Sequence, residues 1–346
     1  MKKTITILLL LSFPILNSQV IFNHEREINN KENYLEREIE IINSEENIKL
    51  YGTLITPKED FEKLIIIVPG SGKDTRNSHF ILTEEFLKNK IAVFRYDERG
   101  VGKSEGLFSD VSYGISQITS DLFYIINTLK KDTSLQNKSF GMLGHSFGGM
   151  ATIGVIQKGI KVDFLIQWAT PVEKYGEFFK YQLISGLNTY ESSLKFDNIN
   201  KKLEIMDVVH KVVANNKNDN DLTLSKKIRK ETKKYGYSSK NYDRFTYWSF
   251  PTKKDILRQN YEETYKSIDI PTLYIIGSND KFVSAINNVY LLNSFNNPKI
   301  ETRIFEGLNH YLRNEEIIIS ETKLTKEIYE LNNIALSEII KWTIEK

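Results

Sequence analysis

Phe140-Gly141-Met142-Leu143-Gly144-His145-Ser146-Phe147-Gly148-Gly149-Met150 is a short apolar run that meets a glycine-flanked serine and passes into a helical pattern. The Gly-x-Ser-x-Gly spacing predicts a strand, a sharp turn at Ser146 and a helix, because side chains at Gly144 and Gly148 would collide with the neighbouring strand and helix. Such a turn presents Ser146 rather than burying it. A serine hydroxyl held this way is a candidate nucleophile.

Working outward, residues 64–68 are a β-branched apolar run closed by Pro69-Gly70-Ser71-Gly72. Residues 80–88 are helix-like and 91–94 are a second apolar run, which makes a βαβ unit. Ile115, Ile118, Leu122, Ile125 and Leu129 mark an amphipathic helix that leads into the strand at 139–143, and 162–166 resumes the sheet. Upstream, 37–42 and 48–55 alternate as an antiparallel pair hinged at 43–47.

After Thr170-Pro171 the strand-helix alternation lapses and returns at 271–277, so the intervening stretch reads as a helical cap insertion. Its polar part, 215–234, reads as a solvated and mobile surface. Its aromatic part holds Tyr235, Tyr237, Tyr242, Phe245, Tyr247, Trp248 and Phe250, which either line an acyl pocket or, for most of them, pack the cap onto the sheet. The chain closes with a strand at 299–304 and with Leu324, Ile328, Leu331, Ala335 and Ile339 at helical spacing. The expected class is α/β: a mostly parallel sheet flanked by helices, with a core of 37–170 and 269–346 and a cap of 171–268.

At the start, Met1-Lys2-Lys3, an apolar stretch from Ile5 to Leu16 and Asn17-Ser18-Gln19 have the three regions of a secretory signal peptide. Cleavage near Ser18 would leave residues 19–36 as an N-terminal tail and export the protein to the periplasm or medium. An apolar stretch of about a dozen residues broken by Pro14 is too short for a membrane span, so none is expected in the mature chain. Without Lys2 and Lys3 the chain has 45 basic and 45 acidic side chains, a balance that argues against a nucleic-acid partner. With no cysteine, disulfides, thiolate nucleophiles and thiolate zinc sites are excluded.

A serine nucleophile needs a base, and the base needs a carboxylate to hold its tautomer. Asp280 follows the strand at 273–276 and His310 follows the last strand, which puts both on loops at the rim of the sheet where Ser146 lies. There are five histidines: His24 is in the tail, His79 starts a helix, His145 is inside the turn and His210 is in the cap, which leaves His310 as the base. Asp97 and Glu98 precede the serine and break the order Ser, acid, His, so they read as structural. Backbone amides of Phe147 and Ser71 are the candidate oxyanion donors, with Gly70 or Gly72 as alternatives to Ser71; their glycines let the loop turn its amides inward. Asp74 and Arg76 are placed to pair and brace that loop, or to be simple surface charges.

The elbow, Val68-Pro69-Gly70-Ser71-Gly72, the stretch from Arg95 to Ser104, and Ala169-Thr170-Pro171-Val172 followed by Gln182 and Gly186 resemble the α/β-hydrolase superfamily. Within it they are similar to the exported esterases grouped with serine aminopeptidase-like hydrolases. The resemblance covers about residue 37 to 346 and implies an eight-stranded sheet and hydrolysis of carboxylic esters through an acyl-enzyme, without metal or organic cofactor. It departs at Lys73-Asp74-Thr75-Arg76, which replaces a Pro-Gln-Asp-Arg type of stretch.

Three other readings compete with it. Gly100-Val101-Gly102-Lys103-Ser104 ends like a phosphate-binding loop, but Asp97 stands where that loop needs its first glycine, and Gly70-Ser71-Gly72-Lys73 has Ile67 there and Asp74 in place of a hydroxyl. A non-catalytic binding module on a hydrolase scaffold is at odds with an intact triad. A peptidase releasing N-terminal residues from short peptides needs a cap carboxylate for the substrate amine, with Glu173, Glu177 and Glu191 as candidates.

Overall fold

The structure is a computed structural model that describes residues 22–109, 113–187, 198–236, 251–314 and 326–346. The proposed signal segment, Tyr237 to Phe250, Glu191 and Leu324 lie outside the described residues.

Eight strands form one sheet: β1 Tyr34–Asn43, β2 Ile48–Pro57, β3 Lys63–Val68, β4 Ile91–Tyr96, β5 Ser139–His145, β6 Phe164–Trp168, β7 Thr272–Gly277 and β8 Ile300–Phe305, in the spatial order β1-β2-β4-β3-β5-β6-β7-β8. The strands β4, β3, β5, β6, β7 and β8 are mutually parallel, and β2 is antiparallel to both β1 and β4. Helices cover both faces of a parallel sheet, so its strands need apolar residues on both sides. Leu64-Ile65-Ile66-Ile67-Val68 is accordingly buried throughout, whereas the C-terminal half of β1 alternates buried and exposed positions as an edge strand does.

Among the described residues the helices are α1 Phe80–Lys88, α2 Ile115–Lys130, α3 Phe147–Gln157, α4 Phe178–Ile184, α5 Ile199–Asn215, α6 Asp221–Lys233, α7 Pro251–Arg258, α8 Glu262–Ser267, α9 Ala285–Ser294 and α10 Asn333–Glu345. The apolar stripe of α2, from Ile115 to Leu129, is buried as its spacing requires. Among the described residues, five helices, α4 to α8, separate β6 from β7. The helical insertion is therefore present, and its last member returns to the core: Tyr265 of α8 donates its hydroxyl to Gln167 of β6 at 3.2 Å.

Two local expectations are corrected. The polar stretch 215–234 contains α6, which is a packed helix because Leu224 and Ile228, four residues apart, bury one face against α5, and Asn220 caps it by accepting from the Thr223 N–H at 2.9 Å. Tyr235, by contrast, is exposed. At the C-terminus Ile328 and Leu331 are not on the final helix, because Asn332 accepts the Ile334 N–H at 2.9 Å and starts α10 there. Ile328 belongs instead to a short 3₁₀ turn, Lys326–Tyr329. Among the described residues, no helix is long and apolar enough to cross a membrane.

Because the central strands run parallel, the segments that follow them gather at one edge of the sheet. Gly70 follows β3, Asp97 follows β4, Ser146 follows β5, Asp280 follows β7 and His310 follows β8. The topology thus brings together residues up to 240 positions apart along the sequence.

Candidate active site

Ser146 joins β5 to α3 with φ 53° and ψ −117°, a backbone conformation that an L-residue holds only when its surroundings enforce it. The enforcement is visible on both sides. The Ser146 N–H donates to the Trp168 carbonyl at 2.8 Å, continuing the β5–β6 ladder, and the Ser146 carbonyl accepts from Gly149 N–H at 3.0 Å, starting α3. A Cβ on Gly144 would lie 2.5 Å from the Gly149 Cα, and one on Gly148 would lie 2.3 Å from the carbonyl oxygens of Val68 and Pro69. Both glycines are therefore required by close approach. Ser146 itself is only 7 % exposed, which corrects the expectation of a hydroxyl open to solvent: the elbow lies under the loops and helices that converge on it.

Asp280 and His310 meet. The His310 Nδ1 lies 2.7 Å from Oδ2 of Asp280, and the other carboxylate oxygen accepts the N–H groups of Phe282 at 2.7 Å and Val283 at 2.9 Å. A carboxylate only accepts, so Nδ1 is the donor of this pair, and in a neutral ring that leaves the lone pair on Nε2. The Trp168 indole N–H donates to the His310 carbonyl at 3.2 Å, and the Phe282 ring lies 4.6 Å from the imidazole, centroid to centroid. The His310 ring stands 5.1 Å from that of His145, the residue preceding the serine. His145 stacks on Trp168 at 4.1 Å, and burial holds its pKa well below the usual imidazole range, so it is neutral.

Helix α4 supports Asp280 from the insertion side, a contribution that no spacing rule could reveal. The Tyr181 hydroxyl donates to the Asp280 carbonyl at 2.7 Å, Ser185 Oγ to the Lys281 carbonyl at 2.6 Å, and the Gln182 amide to the Phe282 carbonyl at 3.2 Å. The Phe178 ring, on the same helix, packs edge-on against Phe147 at 6.0 Å, so α4 touches both the acid loop and the start of α3.

Of the candidate oxyanion donors, Phe147 is the first residue of α3, where the helix leaves its N–H without an internal partner, and Ser71 is exposed on the loop after β3. Gly70 makes the close approach: a Cβ there would lie 3.4 Å from the Ser146 Cβ and from the His145 carbonyl. Neither Gly70 nor Gly72 adopts a positive φ, so Gly70 serves proximity rather than a left-handed turn.

The expected Asp74–Arg76 pair does not form, and neither residue is a surface charge. The two side chains diverge because the topology offers each a buried partner elsewhere: Arg76 Nη2 donates to Asp97 at 2.8 Å and Nη1 to Glu38 at 2.8 Å, while Asp74 receives His24 and Tyr329. Asp97 and Glu98 are structural, as the chain order implied. The Asp97 carboxylate also accepts the Lys103 N–H at 3.0 Å, and a Cβ on Gly102 would lie 2.5 Å from it. The segment that ends like a phosphate loop is thus wrapped around the protein's own anion. Glu173 accepts from the side-chain amides of Asn287 and Asn288, each at 3.4 Å, and burial raises its pKa, while Glu177 pairs with Lys180 at 2.6 Å and meets His210 at 3.3 Å.

An eight-stranded sheet with a serine turn after β5 and an acid–imidazole pair after β7 and β8 defines the α/β-hydrolase class. The chain belongs to the serine aminopeptidase S33 family of hydrolases, whose family model matches residues 59–317. It is therefore a serine-hydrolase-type enzyme in general terms. In fold it is similar to the esterase Pf2001 of Pyrococcus furiosus (TM-score 0.56, 17% identity, covering 90% of this chain and 91% of that one). It is similar also to Est1E of Butyrivibrio proteoclasticus, solved with ferulic acid (0.54, 18%, 89% and 100%). A third similar structure is proline iminopeptidase of Mycobacterium smegmatis (0.54, 12%, 89% and 98%). At these identities the likeness is one of fold. No curated protein matches the chain in sequence.

Proposed function

We propose that the protein is a carboxylesterase in which Ser146 is the nucleophile, His310 the general base and Asp280 the residue that orients it. The observation that carries this reading is the 2.7 Å contact between His310 Nδ1 and Asp280, at the sheet edge where Ser146 occupies its strained turn. His310 Nε2 takes the Ser146 proton as the hydroxyl oxygen attacks the ester carbonyl. The tetrahedral oxyanion is held by the amides of Phe147 and Ser71, and the protonated imidazole then gives its proton to the departing alcohol. Water, activated by the same nitrogen, attacks the acyl-enzyme and releases the acid.

Ester rather than peptide cleavage is favoured because Glu173 and Glu177, the described cap carboxylates considered for a substrate amine, are both engaged by protein partners. The test is a panel of p-nitrophenyl esters from acetate to palmitate beside aminoacyl anilides, with Ser146→Ala and His310→Ala. Each substitution is expected to lower kcat by roughly 10⁴ to 10⁶, because triad members act as a unit. Near-normal turnover in either variant would remove the assignment, and turnover of anilides in preference to esters would make the protein a peptidase.

A further inference from the structure

We propose that His24 and Glu25, on the segment that precedes the sheet, are positioning residues that set the loop bearing the candidate oxyanion donor. This rests on the esterase reading above. Three consecutive amides just beyond Gly70-Ser71-Gly72 are each captured by a carboxylate from another part of the chain. The Asp74 N–H donates to Glu98 at 2.9 Å, the Thr75 N–H to Glu25 at 2.6 Å and the Arg76 N–H to Asp97 at 2.9 Å. Two of these clamps come from the loop after β4. The third comes from the N-terminal segment, and the Thr75 hydroxyl strengthens it with a second bond to Glu25 at 2.8 Å.

The adjoining side chain is held as firmly. Asp74 accepts from the Tyr329 hydroxyl at 2.9 and 2.8 Å and meets His24 Nε2 at 2.9 Å, which draws the segment before the sheet and the segment before α10 onto one loop. The segment has its own anchor on α1. Arg26 Nη1 donates to Glu84 at 2.5 Å, the Asn29 N–H donates to the same oxygen at 2.7 Å, and the Arg26 guanidinium lies 4.0 Å over the Phe80 ring. With Gly70 already in contact with the serine turn, a shift of this loop changes the distance between its amides and the developing oxyanion, and that distance governs kcat.

His24, Glu25 and Asp74 offer ligand atoms within 4.8 Å of one another, as a cation site would. Their oxygens, however, are taken by N–H and O–H donors from Phe22, Thr75 and Tyr329, so the cluster works as a clamp. Its strength depends on pH. Burial, and then the adjacent Asp74 carboxylate, push Glu25 up to about 7. For His24, burial opposes the charge, but Asp74 prevails and raises the pKa. Glu25 faces His24 on its own segment and Asp74 and Thr75 on the loop; Glu98 and Tyr329 reach it through Asp74, and Arg95 of β4 acts on it across the core. Above pH 7 Glu25 becomes a second buried carboxylate beside Asp74, and that repulsion and burial outweigh its bonds from Thr75 and Phe22, so the clamp weakens.

The experiment measures p-nitrophenyl acetate hydrolysis per active site titrated with a fluorophosphonate, in the wild type, Glu25→Ala and Glu25→Gln. Glu25→Ala is expected to lower kcat per titrated site about 10- to 100-fold with KM within about twofold. Glu25→Gln keeps an acceptor for Thr75 but carries no charge. It should restore most of the rate, and the ratio of wild-type to Glu25→Gln kcat should fall as pH rises through 7. An unchanged kcat in Glu25→Ala overturns the proposal. Where that variant does not fold, a wild-type to Glu25→Gln ratio that is flat from pH 5.5 to 8.5 overturns it. A wild-type protein inert to both probe and ester overturns the esterase reading, and this one with it, an outcome recognisable before any variant is measured.

Discussion

Replacing Asp280 by asparagine tests the site at its most constrained atom. Asparagine has the same shape, and its carbonyl oxygen can keep both backbone bonds, from Phe282 at 2.7 Å and Val283 at 2.9 Å, so the loop has no reason to move. The amide nitrogen then takes the place of the oxygen that lies 2.7 Å from His310 Nδ1. That nitrogen donates, so Nδ1 must become the acceptor and the ring proton must move to Nε2, where the base needs a lone pair. The enzyme would hold the wrong tautomer in an intact fold. The expected loss in kcat is about 10⁴-fold, or ~5.5 kcal/mol of transition-state stabilisation. The assay is p-nitrophenyl acetate hydrolysis at pH 7.5, with thermal melting to show that the protein is folded. A folded Asp280→Asn protein within tenfold of wild-type kcat would refute the assignment of Asp280 as the orienting acid.

Two further outcomes concern stability. Gly148→Ala forces a Cβ to within 2.3 Å of two carbonyl oxygens of the β3 end, and should cost on the order of 1–3 kcal/mol or more in urea unfolding; a loss below about 0.5 kcal/mol would contradict the close packing of α3 on that strand. For Glu25 the folded pKa lies above the ordinary 4.5. Both folded and unfolded chains are protonated below 4.5, and between 4.5 and about 7 the unfolded chain ionises while the folded one keeps its proton. Wild-type stability relative to Glu25→Gln should therefore decline across that window by up to ~3 kcal/mol and stay level above it. His24, present in both proteins and also raised, adds a decline to the absolute stability of each, its contribution being complete below 6.5 and lost as pH rises through its folded value. A stability difference that grows in favour of the wild type from pH 5 to 7.5 would contradict the buried placement of Glu25.

The parts of the site that were legible in advance share a property: each is encoded in a few neighbouring residues. Gly144 and Gly148 flank Ser146 because the turn admits no side chain there, and that requirement leaves its mark within five positions. Asp280 and His310 are legible as candidates because each follows a β-branched strand, and because a chain with five histidines leaves few alternatives. Asp74 and Arg76 misled for the opposite reason. Two opposite charges two residues apart are natural partners on an exposed loop, but here burial gives Arg76 to Asp97 and Asp74 to Tyr329, which lies 255 residues away. The stretch 215–234 misled because its charges outnumber Leu224 and Ile228, although those two suffice to pack one face of α6.

The sequence by itself determined the sheet, the serine turn and the order of the candidate triad, since hydrophobic period and glycine placement act through local sterics. Only the tertiary structure decided how far Ser146 is covered, which helix steadies Asp280, and that His24 and Glu25 join Tyr329 on the loop beside the serine. Those outcomes depend on which distant surfaces the parallel strands bring to one edge. The pairing of a buried charge is settled by what is within reach after folding, a quantity that no short stretch of residues contains.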